Sequence, residues 1–154
     1  MVERGEGLVI EVTDGNSLEY RGTLYYDLAK VSAIRLAFAM SIELRKYNIA
    51  VVAVTPGYLR SEAMLEKFGV TENNWQDGIK KDPDFANSET PFYIGRAVVA
   101  LASDPNVMKK TGRALCSCSL ALEYGFTDID GRQPVTYRGE GVFNESGFVV
   151  VQDK

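Results

Sequence analysis

Tyr26-Asp27-Leu28-Ala29-Lys30 sets a phenol and an ammonium four residues apart. On a helix that spacing puts both side chains on one face, about one turn from each other. A free phenol titrates near ~10. A neighbouring ammonium favours the phenolate, so the phenol can give or take a proton closer to neutral pH. Such pairs also arise in helices that do no chemistry, so the setting has to separate the two readings. The chain contains no histidine, which removes Ser-His-Asp and Cys-His catalysis. Acid–base work would then fall to tyrosine, lysine or carboxylates.

The remaining candidates are weaker. Cys116 and Cys118 would share a face if they lay on a strand, and two thiols without histidine do not form a common zinc site. Buried structural thiols are the expectation. Asp128-Ile129-Asp130-Gly131 begins like a calcium loop, but the other ligands are missing. No metal is expected.

The elements that must position the pair can be read in order. Residues 8–13 (LVIEVT) form an apolar, β-branched run between Gly7 and Gly15, as a buried strand does. A polar loop at 14–23 leads into a helix predicted over 24–47, with no proline or glycine. Its centre, residues 36–40 (LAFAM), is apolar on all sides, which implies burial on more than one face. Residues 49–54 read as a second buried strand that ends at Thr55-Pro56-Gly57. Strand, helix and strand make a βαβ unit with a right-handed crossover.

Residues 58–90 are mixed and are predicted to hold short helices in a mobile surface segment. Thr90 and Pro91 make a helix start, and that helix is predicted to run to Ser103. Residues 113–119 read as a third strand. A Gly- and charge-rich tail follows, with a small hairpin at Gly147–Val151.

In an open sheet of this kind, ligand sites lie outside the carboxyl ends of the strands. Thr13 and Asp14, the Tyr26–Lys30 turn, and Pro56 to Ser61 therefore converge on one crevice. With 154 residues, net charge −4 and pI near 4.9, one domain is expected, without a basic footprint for nucleic acid. The apolar runs are too short for a membrane span, and a cytoplasmic location is the expectation.

In this order the segments GLVIEVTDG (7–15), YYDLAK (25–30) and VVAVTPGYLRSE (51–62) resemble the short-chain dehydrogenase/reductase superfamily. That pattern is a strand ending in serine, then Tyr-x-x-x-Lys, then a strand ending in Pro-Gly with a threonine four residues after the glycine. SETPFYIGRAVVALASD (88–104) and TGRALCSC (111–118) are similar to the family's later helix and strand, so the resemblance spans roughly 7–122.

The resemblance implies an α/β fold: the C-terminal part of a Rossmann-like, doubly wound parallel sheet, with residues 1–122 catalytic and 123–154 an extension. It implies an NAD(P)-dependent oxidoreductase that interconverts a carbonyl and a secondary alcohol. Tyr26 would be the acid/base, and Lys30 would hold the nicotinamide ribose and lower the phenol's pKa. Pro56, Gly57, Leu59 and Ser61 would line the nicotinamide pocket. NAD or NADP would be the cofactor, a small carbonyl or alcohol the substrate, and a homo-oligomer the assembly.

The chain departs from the family pattern in two places. The family's serine falls on Asp14 when counted along the strand, whereas Thr13 has the spacing of other members. Threonine can donate a hydrogen bond and an ionised aspartate cannot; an aspartate there would repel a developing oxyanion. Thr13 in the serine's role, a protonated or repurposed Asp14, and an impaired site all stand open. The family's Gly-rich, nucleotide-binding N-terminal half has no counterpart, since Gly5-Glu6-Gly7 precedes a strand instead of following one. A truncated, catalytically silent module able to oligomerise is therefore the alternative. The loop at 58–90, with Tyr58, Met64, Phe68, Trp75 and Phe85, would either receive an apolar substrate or simply pack.

Overall fold

Strands β1 (Gly7–Val12) and β2 (Ile49–Thr55) pair in parallel, with Gly7 opposite Ile49 and Val12 opposite Val54. The structure is a computed structural model and describes residues 1–136, 140–144 and 147–151. Helix α1 (Leu24–Leu44), extended by one 3₁₀ turn (Arg45–Tyr47), crosses between the two strands. It closes at Asn48, whose φ of 57° is the left-handed conformation common just past helix ends.

All seven residues of β2 are buried, and their alternation explains why. Ile49, Val51 and Ala53 pack with Ile34 and Ala37 of α1. Val52 and Val54 pack on the opposite face with Ala97 and Leu101 of α3 (Pro91–Ser103), and with Leu120 of α4 (Ser117–Tyr124). A strand covered by helices on both faces is the continuous apolar run seen in the sequence.

The residues of 58–90 form a lobe of their own. β3 (Tyr58–Leu59) pairs in parallel with β4 (Ser88–Glu89). Between them run α2 (Glu62–Phe68) and two 3₁₀ segments, Glu72–Lys80 and Pro83–Asn87. Phe85 is fully buried, stacked on Phe68 at 4.5 Å and edge-on to Trp75 at 6.0 Å. The lobe thus has a small aromatic core, and its two short strands carry no signal in the local sequence.

The third strand is shorter than its sequence suggests. β5 (Ala114–Cys116) pairs with β2 in parallel and gives way to α4 at Ser117. The Cys116 side chain caps that helix, its sulfur accepting from the Ser119 N–H. Cys116 and Cys118 therefore do not share a strand face: one ends a strand and the other lies in a helix. Both are buried free thiols with Sγ atoms 2.8 Å apart. β6 (Glu140–Asn144) and β7 (Gly147–Val151) form the expected hairpin. It joins β5 antiparallel, so the five-stranded sheet, in order β1-β2-β5-β6-β7, is mixed. Positions 137–139, 145–146 and 152–154 of the tail lie outside the described residues. Among those described, no helix is long and apolar enough to cross a membrane.

Candidate active site

A cleft of about 490 Å³ opens at the carboxyl ends of β1 and β2. β1 delivers Val12, Thr13 and Asp14; α1 delivers Tyr26 and Lys30; the segment leaving β2 delivers Pro56 to Leu59 and Ser61. Thr13, Asp14, Tyr26, Lys30, Pro56, Gly57, Leu59 and Ser61 all line it, whereas Arg60, between Leu59 and Ser61, turns to Glu72 and Ser88 instead. Met64 and Thr136 complete its wall.

Tyr26 and Lys30 come together as their spacing dictates, with the ammonium 5.4 Å from the centre of the phenol ring. The Tyr26 hydroxyl donates to Asp14 Oδ2 at 2.5 Å. Asp14 in turn accepts from the Arg21 guanidinium at 2.9 Å, through its other oxygen. The Thr13 hydroxyl, buried, donates instead to the backbone carbonyl of Lys30 at 2.6 Å. The residue beside the phenol is therefore Asp14, and Thr13 ties the strand end to the helix.

The loop between β1 and α1 owes its shape to Gly15 and Thr55. Gly15 has φ of +88°, and a Cβ there would collide with the Arg21 guanidinium. Only glycine fits both the backbone conformation and the side chain lying across it. The Gly15 N–H donates to Thr55 Oγ1 at 2.7 Å, which binds the loop to the end of β2.

Gly57 is equally confined. A Cβ there would lie 2.5 Å from Thr136 Oγ1 and 2.9 Å from Glu89 Oε2. Its N–H donates to that Glu89 oxygen at 2.9 Å, and Ser117 Oγ donates to the same oxygen at 2.7 Å. Burial pushes the Glu89 carboxyl up to about 7, and its two hydrogen bonds only partly oppose that. Ser61 caps α2, accepting from the Met64 N–H at 3.3 Å. The Tyr58 hydroxyl donates to Asp82 at 2.8 Å; burial first, and then this bond, push its phenol up to about 12.

Of the five apolar side chains singled out in the 58–90 loop, Tyr58 and Met64 line the cleft, while Phe68, Trp75 and Phe85 pack together. Sequence reasoning missed Arg21, Thr55, Glu89 and Thr136. Their contacts span up to 78 positions of chain, as in Tyr58 N–H to Thr136, and no local pattern marks them.

Gly57, Tyr26 and Lys30 line the same cleft, and the space that a Cβ at Gly57 would need is already taken by Thr136 and Glu89. The chain has no G-x-G-x-x-G segment to hold a pyrophosphate.

A mixed sheet whose parallel strands β1, β2 and β5 have helices packed on both faces of β2, with a cleft at the strand ends, defines a Rossmann-like α/β protein. The chain is 37% identical over 139 residues to the mouse protein "dehydrogenase/reductase SDR family member 1", covering 89% of this chain and 44% of that protein. A solved short-chain dehydrogenase from Mycobacterium thermoresistibile superposes with a TM-score of 0.57 at 20% identity, over 95% of this chain and 46% of that one. A 7α-hydroxysteroid dehydrogenase, solved with NADH and 7-oxo glycochenodeoxycholic acid, gives 0.57 at 22% identity, over 86% and 47%. No family model matches the chain. The chain belongs to the short-chain dehydrogenase/reductase superfamily, and it spans less than half the length of the curated relative it matches.

Proposed function

We propose that this cleft serves an NAD(P)-dependent oxidoreductase that interconverts a carbonyl and a secondary alcohol, within a longer chain that carries the nucleotide-binding half. The observation that carries this reading is the Tyr26–Lys30 pair, which lines the same cleft as Gly57 at the ends of β1 and β2. NADH in the related 7α-hydroxysteroid dehydrogenase supports the choice of cofactor. When bound, the nicotinamide supplies or accepts hydride.

The residues of this chain bind, orient and move the proton. Tyr26 gives its hydroxyl proton to the carbonyl oxygen in reduction and takes it back in oxidation. Lys30, beside the ring, would hold the nicotinamide ribose and stabilise the phenolate left behind. Pro56, Gly57, Leu59 and Ser61 line the cleft and would form the wall that receives the nicotinamide. Asp14 stands where the family has serine, and Arg21 offsets its charge, which limits repulsion of the developing oxyanion. Residues 1–122 form the catalytic part and 123–154 an extension that contributes Thr136 to the wall.

The test is turnover. In the longer chain, reduction of a panel of aldehydes and ketones, followed by NADH or NADPH oxidation, should fall by ~10²-fold or more in Tyr26→Phe. Unchanged turnover in that variant rejects the assignment.

A second reading has its own observation. Leu24, Tyr25, Leu28, Leu36 and Ile42 of α1 are all exposed, and helical spacing gathers them on one side. A catalytically silent module that associates through this helix fits that surface, and a homo-oligomer fits either reading.

A further inference from the structure

We infer that Glu89 is a positioning residue of the cleft: its buried carboxyl holds the Gly57 amide, and through it the wall that runs from Pro56 to Leu59. The inference deepens the proposed function and rests on it only in naming that wall as the nicotinamide's.

Glu89 is 0% exposed and lies outside the lining of the cleft. Its backbone pairs β4 with β3, Leu59 opposite Glu89, and its carbonyl accepts from the Arg60 N–H at 2.8 Å. Its side chain then reaches back to the turn that leaves β2. One oxygen, Oε2, takes both the Gly57 N–H and the Ser117 hydroxyl. A single carboxyl thus joins the cleft wall, the start of α4 and the lobe at 58–90. Because Gly57 has no Cβ, this oxygen approaches its backbone directly.

The other oxygen, Oε1, is buried with no hydrogen-bond partner among the described residues. An ionised carboxylate in that state is costly, whereas a protonated one is much less so. The titratable groups acting on Glu89 are Cys118 of α4 and Asp128 of the loop after it, with Tyr93 of α3 also coupled to it. All three are acids and none offsets a negative charge. Arg60, beside β3, directs its guanidinium to Ser88 and Glu72 instead. Protonation of Glu89 near neutral pH would therefore be felt at Gly57, since the acceptor of its amide changes charge.

The experiment follows the Gly57 amide of the 154-residue chain by ¹⁵N–¹H NMR from about pH 5.5 to about 8.5. The expected result is a one-proton shift with midpoint near 7, abolished in Glu89→Gln while Gly57 stays protected from exchange. In Glu89→Leu, exchange of the Gly57 amide should rise at least ~10-fold while β2 amides keep theirs. A Gly57 resonance that is flat with pH, or that titrates unchanged in Glu89→Gln, overturns the inference. Addition of NADH forms the separate arm: no response at Gly57 with the titration intact would remove the nicotinamide reading and leave the role of Glu89 standing.

Discussion

The hydroxyl of Tyr26 and the carboxylate of Asp14 meet at 2.5 Å, across the gap between the end of β1 and the first turn of α1. Under the proposed function, the proton that carbonyl reduction would need is thus already shared with an acceptor of the protein. Where a serine would donate to the substrate oxygen, Asp14 competes for the tyrosine's hydrogen.

That competition predicts the effect of Asp14→Ser. It restores a neutral donor beside the phenol and removes a negative charge from the place where an oxyanion develops. Carbonyl reduction should rise by about tenfold, read as kcat with NADH in excess. A loss as deep as that of Tyr26→Phe would show instead that Asp14 belongs to the proton-transfer machinery.

Gly15→Ala should be destabilising chiefly through its backbone conformation, with the Arg21 side chain obliged to move as well. The residue has φ of +88°, and a methyl group would collide with the Arg21 guanidinium. A loss of about 1–3 kcal/mol is expected in chemical denaturation, with the Arg21–Asp14 pair displaced. A stability equal to that of the unsubstituted chain would mean that the loop adopts another shape.

Glu89 makes folding stability depend on pH in a direction opposite to most carboxylates. Its folded pKa lies near 7, above the ordinary carboxyl range. Between the unfolded value and about 7, the folded state binds the extra proton, so stability falls as pH rises through that window. The slope approaches at most about 1.4 kcal/mol per pH unit. Comparison of urea midpoints for the unsubstituted chain and Glu89→Gln across that window isolates this contribution. Equal pH dependence in the two would assign it elsewhere.

The exposed side of α1 predicts association. Leu28 is 55% exposed and Leu36 is 48% exposed, so the pair should lie in any contact that α1 makes with a second copy. Sedimentation should give an oligomer for the unsubstituted chain and a smaller species for Leu28→Glu combined with Leu36→Glu. A compact monomer before substitution contradicts this.

The parts of this protein that were legible in the sequence are those written in short periods. The all-apolar run at 49–54 announced a strand buried on both faces, and β2 alternates between α1 on one side and α3 and α4 on the other. Thr90-Pro91 announced the start of α3, where the Thr90 hydroxyl accepts from the Phe92 N–H as a cap does. The four-residue spacing of Tyr26 and Lys30 placed both in the same cleft.

What the sequence did not disclose depends on contacts between distant segments. The strand expected over 113–119 stops at Cys116, because its sulfur caps a helix and Ser117 is drawn to Glu89. The partners of Thr13 and Asp14 depend on which way two adjacent side chains point at a strand end. One residue of displacement reverses that direction, and β1 ends at Val12, one residue earlier than expected.

Whether the Tyr26–Lys30 turn and the Gly57 wall together receive a nicotinamide is measured most directly by chemical-shift mapping of the chain during titration with NADH, because weak binding suffices for detection. The expected affinity is in the millimolar range (~1 mM, about −4 kcal/mol), with shifts confined to Tyr26, Lys30, Gly57, Leu59 and Ser61. Shifts absent from these residues at saturating NADH, or gathered instead on the groove of Phe92, Val99 and Phe126, would contradict it.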